Sequence, residues 1–229
     1  MAQNKNSAMA INVIITGATG MVGKGVLLEC LESDDVASVL SISRRSVGLK
    51  HAKMREVIVS DISNLDQIDA DLTRADACFF GLGVSSAGMS EADYRKITYD
   101  LTLDFSTALA TIRPDMTFCY VSGSGTNANS KTMWARVKGE TEAALKALPF
   151  KAAVMFRPGL IQPIKGVKPT SRLFSVMLTA LGFMFPFMRA VAPNTVTTTE
   201  RMGRAFINAA QDGTDKLILD PVDINQLGA

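Results

Sequence analysis

The stretch INVIITGATGMVGKG, residues 11–25, decides the fold. Its apolar and β-branched first part predicts a strand, and its second part opens a helix. Between the two, Gly17, Gly20 and Gly23 have the spacing G-x-x-G-x-x-G. Glycines at these positions allow a tight turn, a close approach of backbone N–H groups to a pyrophosphate, and close packing of the helix on the strand. The context predicts a dinucleotide-binding loop, and the alternative is a glycine-rich turn without a ligand.

The rest of the chain alternates short β-branched runs with longer helical patterns. The predicted strands cover residues 11–16, 38–42, 56–59, 77–81, 117–121, 152–156 and 216–219. The predicted helices cover residues 21–31, 91–111, 131–148 and 199–210, the last with a capping box formed by Thr197 and Glu200. This alternation predicts an α/β protein with a doubly wound parallel sheet, the Rossmann fold. We expect a single NAD(P)-binding domain over residues 1–229, in which residues 160–229 form a small C-terminal helical extension over the substrate.

Composition narrows the class of protein. The chain has 229 residues, of which 47% are hydrophobic and 20% charged, as in soluble globular proteins. The net charge of +2 gives no reason to expect nucleic acid or an anionic membrane as a partner. Cys30, Cys78 and Cys119 lie in apolar runs without metal-ligand spacing, so we expect buried, reduced thiols and no metal site. The first residues lack the pattern of a signal peptide, so we expect a cytoplasmic location.

The end of the second strand indicates which dinucleotide is bound. In SISRRS, Arg44 and Arg45 stand where an acidic residue would bind the ribose 2′-hydroxyl of NAD. Two guanidinium groups can fork onto phosphate oxygens, and no carboxylate is present there to repel the phosphate. The pair therefore favours NADP, and the alternative is an ordinary exposed arginine pair in a loop.

The ends of the next two strands supply further predicted contacts. Asp61 can accept a hydrogen bond from the exocyclic amine of adenine while Ile62 covers the ring, and Asp61 as a helix cap is an equally good interpretation. Gly81 and Gly83 would let the backbone pass close to the cofactor. The predicted cofactor contacts up to this point are Gly17, Thr19, Gly20, Met21, Val22, Gly23, Arg44, Arg45, Asp61, Ile62, Gly81 and Gly83.

Seven motifs in this order carry a family resemblance. They are TGATGMVG, SRRS, SDIS, FFGLG, YVSGSG, a W-x-x-x-K helix and FRPGLIQP, and they span residues 11–163. Together they resemble the short-chain dehydrogenase/reductase superfamily, and within it the atypical NAD-dependent epimerase/dehydratase-like proteins. The resemblance implies a Rossmann fold with the dinucleotide bound across the first four strands.

The resemblance also implies roles for individual residues. In that family a serine or threonine, a tyrosine and a lysine act together on the substrate. Lys138 matches the lysine, which also holds the nicotinamide ribose, and Ser124 or Ser122 matches the serine. Arg157 and Pro158 match a segment whose backbone approaches the nicotinamide.

Trp134 stands at the position of the family's tyrosine. An indole N–H donates a hydrogen bond but cannot relay a proton near neutral pH. The segment between Ser124 and Lys138 is also shorter than usual, which leaves the choice of serine open. An alternative interpretation treats this stretch as an ordinary amphipathic helix. The 3-4 spacing of Met133, Trp134 and Val137 would then make Trp134 a core residue and Lys138 a solvated one.

No other residue is a convincing proton donor in the sequence. His51 lies in a polar loop near the adenosine end, Tyr94 and Tyr99 are expected to pack on a long helix, and Tyr120 is expected to be buried in a strand. The motifs leave two functions open. The first is an NADP-dependent oxidoreductase acting on an apolar carbonyl compound, and the second is a catalytically disabled NADP(H)-binding regulatory or scaffold protein.

The apolar segment 173–188 reads LFSVMLTALGFMFPFM. Its sixteen uncharged residues fall short of the ~20 that span a bilayer as a helix. Gly182 and Pro186 would also interrupt a helix there. We expect a buried or lid-like helix that lines an apolar substrate pocket, or a homo-oligomer interface, with peripheral membrane attachment as the alternative.

Overall fold

The computed structural model describes residues 9–63, 65, 72–167 and 195–229. The strands within these ranges are β1 (Ile11–Thr16), β2 (Val36–Ser43), β3 (Met54–Ile58), β4 (Ala77–Phe80), β5 (Thr117–Val121), β6 (Ala152–Phe156), β7 (Leu160–Gln162), β8 (Val196–Thr198) and β9 (Ile218–Leu219). Seven of these described strands form one parallel sheet in the order β3-β2-β1-β4-β5-β6-β9. The other two, β7 and β8, form a small parallel pair of their own.

Helices connect the strands. Those that the described ranges contain are α1 (Met21–Glu32), α2 (Glu91–Arg95), α3 (Leu101–Ile112), α4 (Met133–Lys146), α5 (Thr199–Gln211) and α6 (Pro221–Leu227). A π-helical turn, Lys96–Asp100, joins α2 to α3. Buried side chains of α1 and α5 belong to the apolar core on one face of the sheet, and those of α3 belong to the core on the other face. Because helices cover both faces, the strands are apolar almost throughout.

The strand order confirms the predicted doubly wound parallel sheet. The chain turns one way from β1 to β2 and β3, and the opposite way from β4 onward. The loops that leave β1 and β4 therefore diverge and open a crevice at the carboxyl edge, which is where sheets of this kind bind ligands. The division of the chain at residue 160 stays a prediction.

Close packing of α1 against α5 fixes the direction of α1. A Cβ atom added to Gly25 would lie 2.4 Å from the Cβ atom of Thr199, and one added to Gly203 would lie 2.5 Å from the Cγ atom of Glu29. Glycine at these two positions lets the helices approach each other more closely than larger residues would allow. The N-terminus of α1 is thereby held at the crevice.

Some local predictions were wrong in detail. The cap of α5 is Thr198, the last residue of β8, whose side chain accepts from the N–H of Arg201 at 3.1 Å, and not Thr197, one residue earlier. The predicted helix over residues 91–111 is interrupted by the π-helical turn. The sequence analysis also missed α6, which begins with a capping box between Asp220 and Asp223.

Candidate functional site

The glycine loop passes directly against the end of β4. Gly17 has a φ of +73°, and a Cβ atom there would lie 2.4 Å from the carbonyl carbon and oxygen of Gly81. A Cβ atom on Gly23 would lie 2.3 Å from the carbonyl oxygen of Gly17. The Gly20 N–H closes the turn by donating to the same oxygen at 2.8 Å. The loop therefore requires glycine at its first and third positions, because any side chain there would clash with the protein's own backbone.

The N-terminus of α1 is open to an anion. Its cap is Gly20, which has no side chain to accept from the helix N–H groups, and no acidic residue occupies the first turn. The free N–H groups and the positive end of the helix dipole at this point favour a phosphate. This is an independent reason, beyond the glycine spacing, why the loop fits a pyrophosphate.

A cavity of about 460 Å³ lies next to this helix terminus. The structure brings eight of the predicted cofactor residues together around it: Gly17, Thr19, Gly20, Arg44, Arg45, Ile62, Gly81 and Gly83. Its wall also includes five residues that the sequence analysis missed, Ile42, Ser43, Leu82, Val84 and Ser85, although each lies within two positions of a predicted one. Of the remaining predicted residues, Met21 packs with Leu160 and Val196, and Val22 packs against the core.

Arg44 and Arg45 are exposed side chains at the mouth of this cavity. Neither forms an ion pair with any other residue that the structure describes. Two exposed guanidinium groups that are not paired within the described part of the chain are suited to a phosphate supplied by a ligand.

Asp61 is engaged locally. Its carboxylate accepts from the backbone N–H of Ser63 at 3.0 Å and from the hydroxyl of Ser63 at 2.8 Å. These hydrogen bonds hold the pKa of the Asp61 carboxyl below its usual value. Asp61 therefore closes a turn, which is close to the capping interpretation, whereas Ile62 is 2% exposed and lines the cavity.

Lys138 lies on α4 with its side chain against β5. Its Nζ atom donates to the carbonyl oxygen of Val121 at 3.1 Å and lies 3.5 Å from the hydroxyl of Tyr120. Burial lowers the pKa of Lys138 to about 8, although the carboxylate of Glu142, one turn further along the helix, acts in the opposite direction. Tyr120 is buried as predicted, but it also contacts the lysine.

The carboxylate of Glu142 is not free to pair with Lys138. It is bound by Arg157, whose Nε atom donates to Oε1 at 2.9 Å while an Nη atom donates to Oε2. The side chain of Glu142 is only 2% exposed. The Arg157 side chain is thus directed to α4, and only its backbone can serve the predicted approach to the nicotinamide. The carbonyl oxygen of Pro158 accepts from the N–H of Ser124 at 3.0 Å.

The half-buried indole of Trp134 lies over the loop that follows β5. A Cβ atom on Gly123 would lie 3.7 Å from its Cζ3 atom, and one on Gly125 would lie 3.7 Å from its Cη2 atom. The indole therefore packs on a loop whose glycines present no side chains to it. The ring occupies the helix position at which the resemblance expects a tyrosine hydroxyl.

The same loop contains the two serines that the sequence analysis left open. The hydroxyl of Ser122 is buried and lies 3.1 Å from the hydroxyl of Thr126, which is also buried. Ser124 is exposed. Of the two, Ser124 has the solvent-accessible hydroxyl, whereas the Ser122 hydroxyl is engaged within the loop.

The fold and the glycine loop define a Rossmann protein of the dinucleotide-binding class. The model of the NAD dependent epimerase/dehydratase family matches residues 13–144, and the chain belongs to this family. The resemblance seen in the motifs is confirmed.

Two fungal relatives agree with this assignment. The chain is 34% identical to the mitochondrial protein fmp52-1 of Aspergillus terreus over 233 residues, which cover 95% of this chain and 98% of the relative. It is also 34% identical to the mitochondrial protein fmp52 of Aspergillus fumigatus over 157 residues, which cover 66% of each chain. Because such relatives are named as mitochondrial proteins, the predicted cytoplasmic location is wrong.

Solved structures share the fold. The Bordetella bronchiseptica enzyme WbmF in complex with NAD+ has a TM-score of 0.67 and 16% identity, and the match covers 96% of this chain and 78% of that one. L-Sorbose reductase from Gluconobacter frateurii, complexed with NADPH and L-sorbose, has a TM-score of 0.63 and 13% identity, with 94% and 97% covered.

The predicted roles of the apolar segment 173–188 stay predictions, because it lies outside the described residues. Among the helices that are described, none has the length and apolar character needed to cross a bilayer.

Proposed function

We propose that this protein binds NADP(H) and catalyses the reduction of an apolar carbonyl compound. The observation that carries the proposal is the convergence, around one cavity, of the glycine loop, the N-terminus of α1 without a side-chain cap, and two arginines that form no ion pair with any described residue. The loop and helix terminus suit the pyrophosphate, and Arg44 with Arg45 suits the extra 2′-phosphate of NADP. The structurally similar proteins include complexes with NAD+ and with NADPH. The preference for NADP(H) therefore rests on the two arginines.

Lys138 and Ser124 supply the groups that act at the reacting end. When bound, the cofactor supplies a hydride to the carbonyl carbon. Ser124 donates a hydrogen bond to the carbonyl oxygen. Two of the three N–H bonds of Lys138 are directed to Val121 and Tyr120, and the third is available to the ribose or the substrate. With a pKa of about 8, the Lys138 ammonium is acidic enough to give up a proton to the developing alkoxide, which the indole of Trp134 cannot do.

The apolar character of the substrate rests on apolar side chains at the carboxyl edge of the sheet. Met21, Leu160 and Val196 form a small apolar cluster beside the N-terminus of α1. Val84, on the cavity wall, is 40% exposed. Apolar groups near the mouth of a ligand cavity favour a substrate whose reactive carbonyl is attached to an apolar body.

The test is NADPH oxidation by the purified protein over a panel of aldehydes, ketones and quinones. We expect turnover on at least one apolar member, together with a higher affinity for NADPH than for NADH. Binding of NADPH without turnover on any member of the panel would refute the reductase.

A second candidate function is a regulatory or scaffold protein that binds NADP(H) without redox chemistry. It is favoured by one observation, the packing of the Trp134 indole on the loop after β5, in place of a titratable hydroxyl. Trp134→Tyr separates the two candidates. Activity that appears only in the variant supports the disabled protein, whereas efficient turnover by the wild type excludes it.

A further inference from the structure

The loop that carries Arg44 and Arg45 has to be held in place. Both side chains are exposed, and adjacent guanidinium groups repel each other, so neither arginine stabilises the loop conformation by itself. The loop leaves the end of β2, next to the edge strand β3. Its conformation is therefore set by other contacts, and two of these involve one carboxylate on β3.

That carboxylate belongs to Glu56. Its Oε1 atom accepts from the backbone N–H of Val47 at 2.7 Å, and its Oε2 atom accepts from the hydroxyl of Ser46 at 2.7 Å. The Ser46 hydroxyl oxygen also accepts from the N–H of Gly48 at 3.1 Å. On the other side of the arginines, the Ser43 hydroxyl donates to the carbonyl oxygen of Arg45 at 2.7 Å. The arginine pair is thus fixed at both ends.

The direction of these hydrogen bonds determines whether the negative charge of Glu56 neutralises the arginines. The Glu56 carboxylate lies beside the loop that carries the arginines. It would weaken phosphate binding if it formed ion pairs with them. Both of its oxygens are instead directed to donors in the loop that follows the arginines. Val47 adds an apolar anchor, since its side chain is 8% exposed and packs in the core beneath the sheet edge.

We propose that Glu56 is a positioning residue that determines selectivity for the 2′-phosphate of NADP(H), acting through Arg44 and Arg45. The inference rests on the proposed cofactor and not on the proposed reaction. A loop that is already ordered loses little conformational entropy when it binds phosphate. The hydrogen bonds of Glu56 therefore raise the affinity for a ligand that carries the 2′-phosphate. NADH lacks that group, and its affinity does not depend on these hydrogen bonds.

The experiment measures dissociation constants of NADPH and NADH by isothermal titration calorimetry. Glu56→Ala should weaken NADPH binding by about tenfold, while NADH binding changes by less than about twofold. Glu56→Gln should have an intermediate effect, because its carbonyl oxygen can still accept from Val47. Asp104→Asn is the matched control, since it removes one exposed carboxylate on α3, away from the loop, and should leave both constants unchanged.

A double-mutant cycle tests whether Glu56 acts through Arg44 and Arg45. In an Arg44→Ala/Arg45→Ala background, Glu56→Ala should have no further effect on NADPH, because the groups it positions are absent. An equal loss of NADPH and NADH affinity in Glu56→Ala would show a merely structural role and overturn the inference. Unchanged dissociation constants in Glu56→Ala, or a wild type that binds NADPH and NADH equally well, would also overturn it. These constants do not depend on turnover, so an inactive protein with intact selectivity would refute the reductase alone.

Discussion

The cofactor end and the reacting end of this crevice are built in different ways. The cofactor end consists mainly of backbone, in which clashes with neighbouring main chain require Gly17 and Gly23, and the cap of α1, Gly20, has no side chain. At the reacting end, the side chain of Lys138 on α4 contacts the hydroxyl of Tyr120 and the carbonyl oxygen of Val121 on β5. Substitutions at the first should act through the fold of the loop, and substitutions at the second should act through charge and proton transfer.

The largest effect is expected from Gly17→Ala. The new Cβ atom would lie 2.4 Å from the backbone of Gly81 at a φ of +73°, so the loop must move. We expect NADPH binding to be lost and the free energy of unfolding to fall by roughly 2–4 kcal/mol, as for strained or overpacked sites. Calorimetric binding and urea denaturation measure the two quantities.

Gly213→Ala is the matched control for this substitution. Gly213 has a φ of +79° but nothing within 4 Å of an added Cβ atom, so it carries the backbone strain without the clash. We expect it to cost only about 1 kcal/mol and to leave NADPH binding intact. If the two variants behaved alike, the close approach of the loop to β4 would not be the cause.

The next effect concerns Lys138. Lys138→Met should reduce kcat by about 100-fold or more, within the range for a lost general acid. Lys138→Arg keeps the positive charge for the ribose but holds its proton too tightly, so we expect near-normal NADPH binding with low turnover. Lys146→Met, on the exposed end of the same helix, serves as the control. Full activity of Lys138→Arg would exclude the lysine as proton donor.

The pH dependence of the wild type follows from the same group. The pKa of Lys138 is lowered to about 8, so the ammonium form predominates below that pH and the neutral amine above it. Reduction needs the protonated form, and kcat for carbonyl reduction should therefore fall as the pH rises through about 8. A rate that is constant across this interval would contradict the assignment.

A smaller effect separates the two serines. Ser124→Ala should lower kcat by about tenfold, because one hydrogen bond to the carbonyl oxygen is lost. Ser122→Ala should leave kcat nearly unchanged and cost about 1 kcal/mol of stability through the loss of its contact with Thr126. Steady-state kinetics and thermal unfolding of both variants provide the comparison, and a reversed pattern would make Ser122 the substrate contact.

The two ends also differ in how far the sequence predicts them. The glycine loop and the arginine pair could be placed because their geometry follows from local spacing after β1 and β2. The contact of Lys138 with Tyr120 could not, since it joins residues 18 positions apart through the packing of α4 on β5. The ion pair between Glu142 and Arg157 has the same origin. The cap of α5 was misplaced by one residue because β8 is too short to show its end in the sequence.

The smallest expected effect on turnover concerns that ion pair. Glu142 raises the pKa of Lys138, so Glu142→Gln should lower it further and move the falling limb of the pH–rate profile to lower pH. It also leaves the Arg157 guanidinium, which is 21% exposed, without its counterion, and we expect a loss of about 1–3 kcal/mol of stability. Glu140→Gln on the same helix removes a more exposed partner, that of Arg95, and should change stability by less than about 1 kcal/mol.

The two readouts distinguish a structural from an electrostatic role for Glu142. A loss of stability with an unchanged pH–rate profile would mean that Glu142 only anchors β6 to α4 through Arg157. A shifted profile in Glu142→Gln, absent in Glu140→Gln, would mean that the charge reaches Lys138. In that case the charge of Glu142, together with the burial of Lys138, sets the protonation state on which the proposed reduction depends.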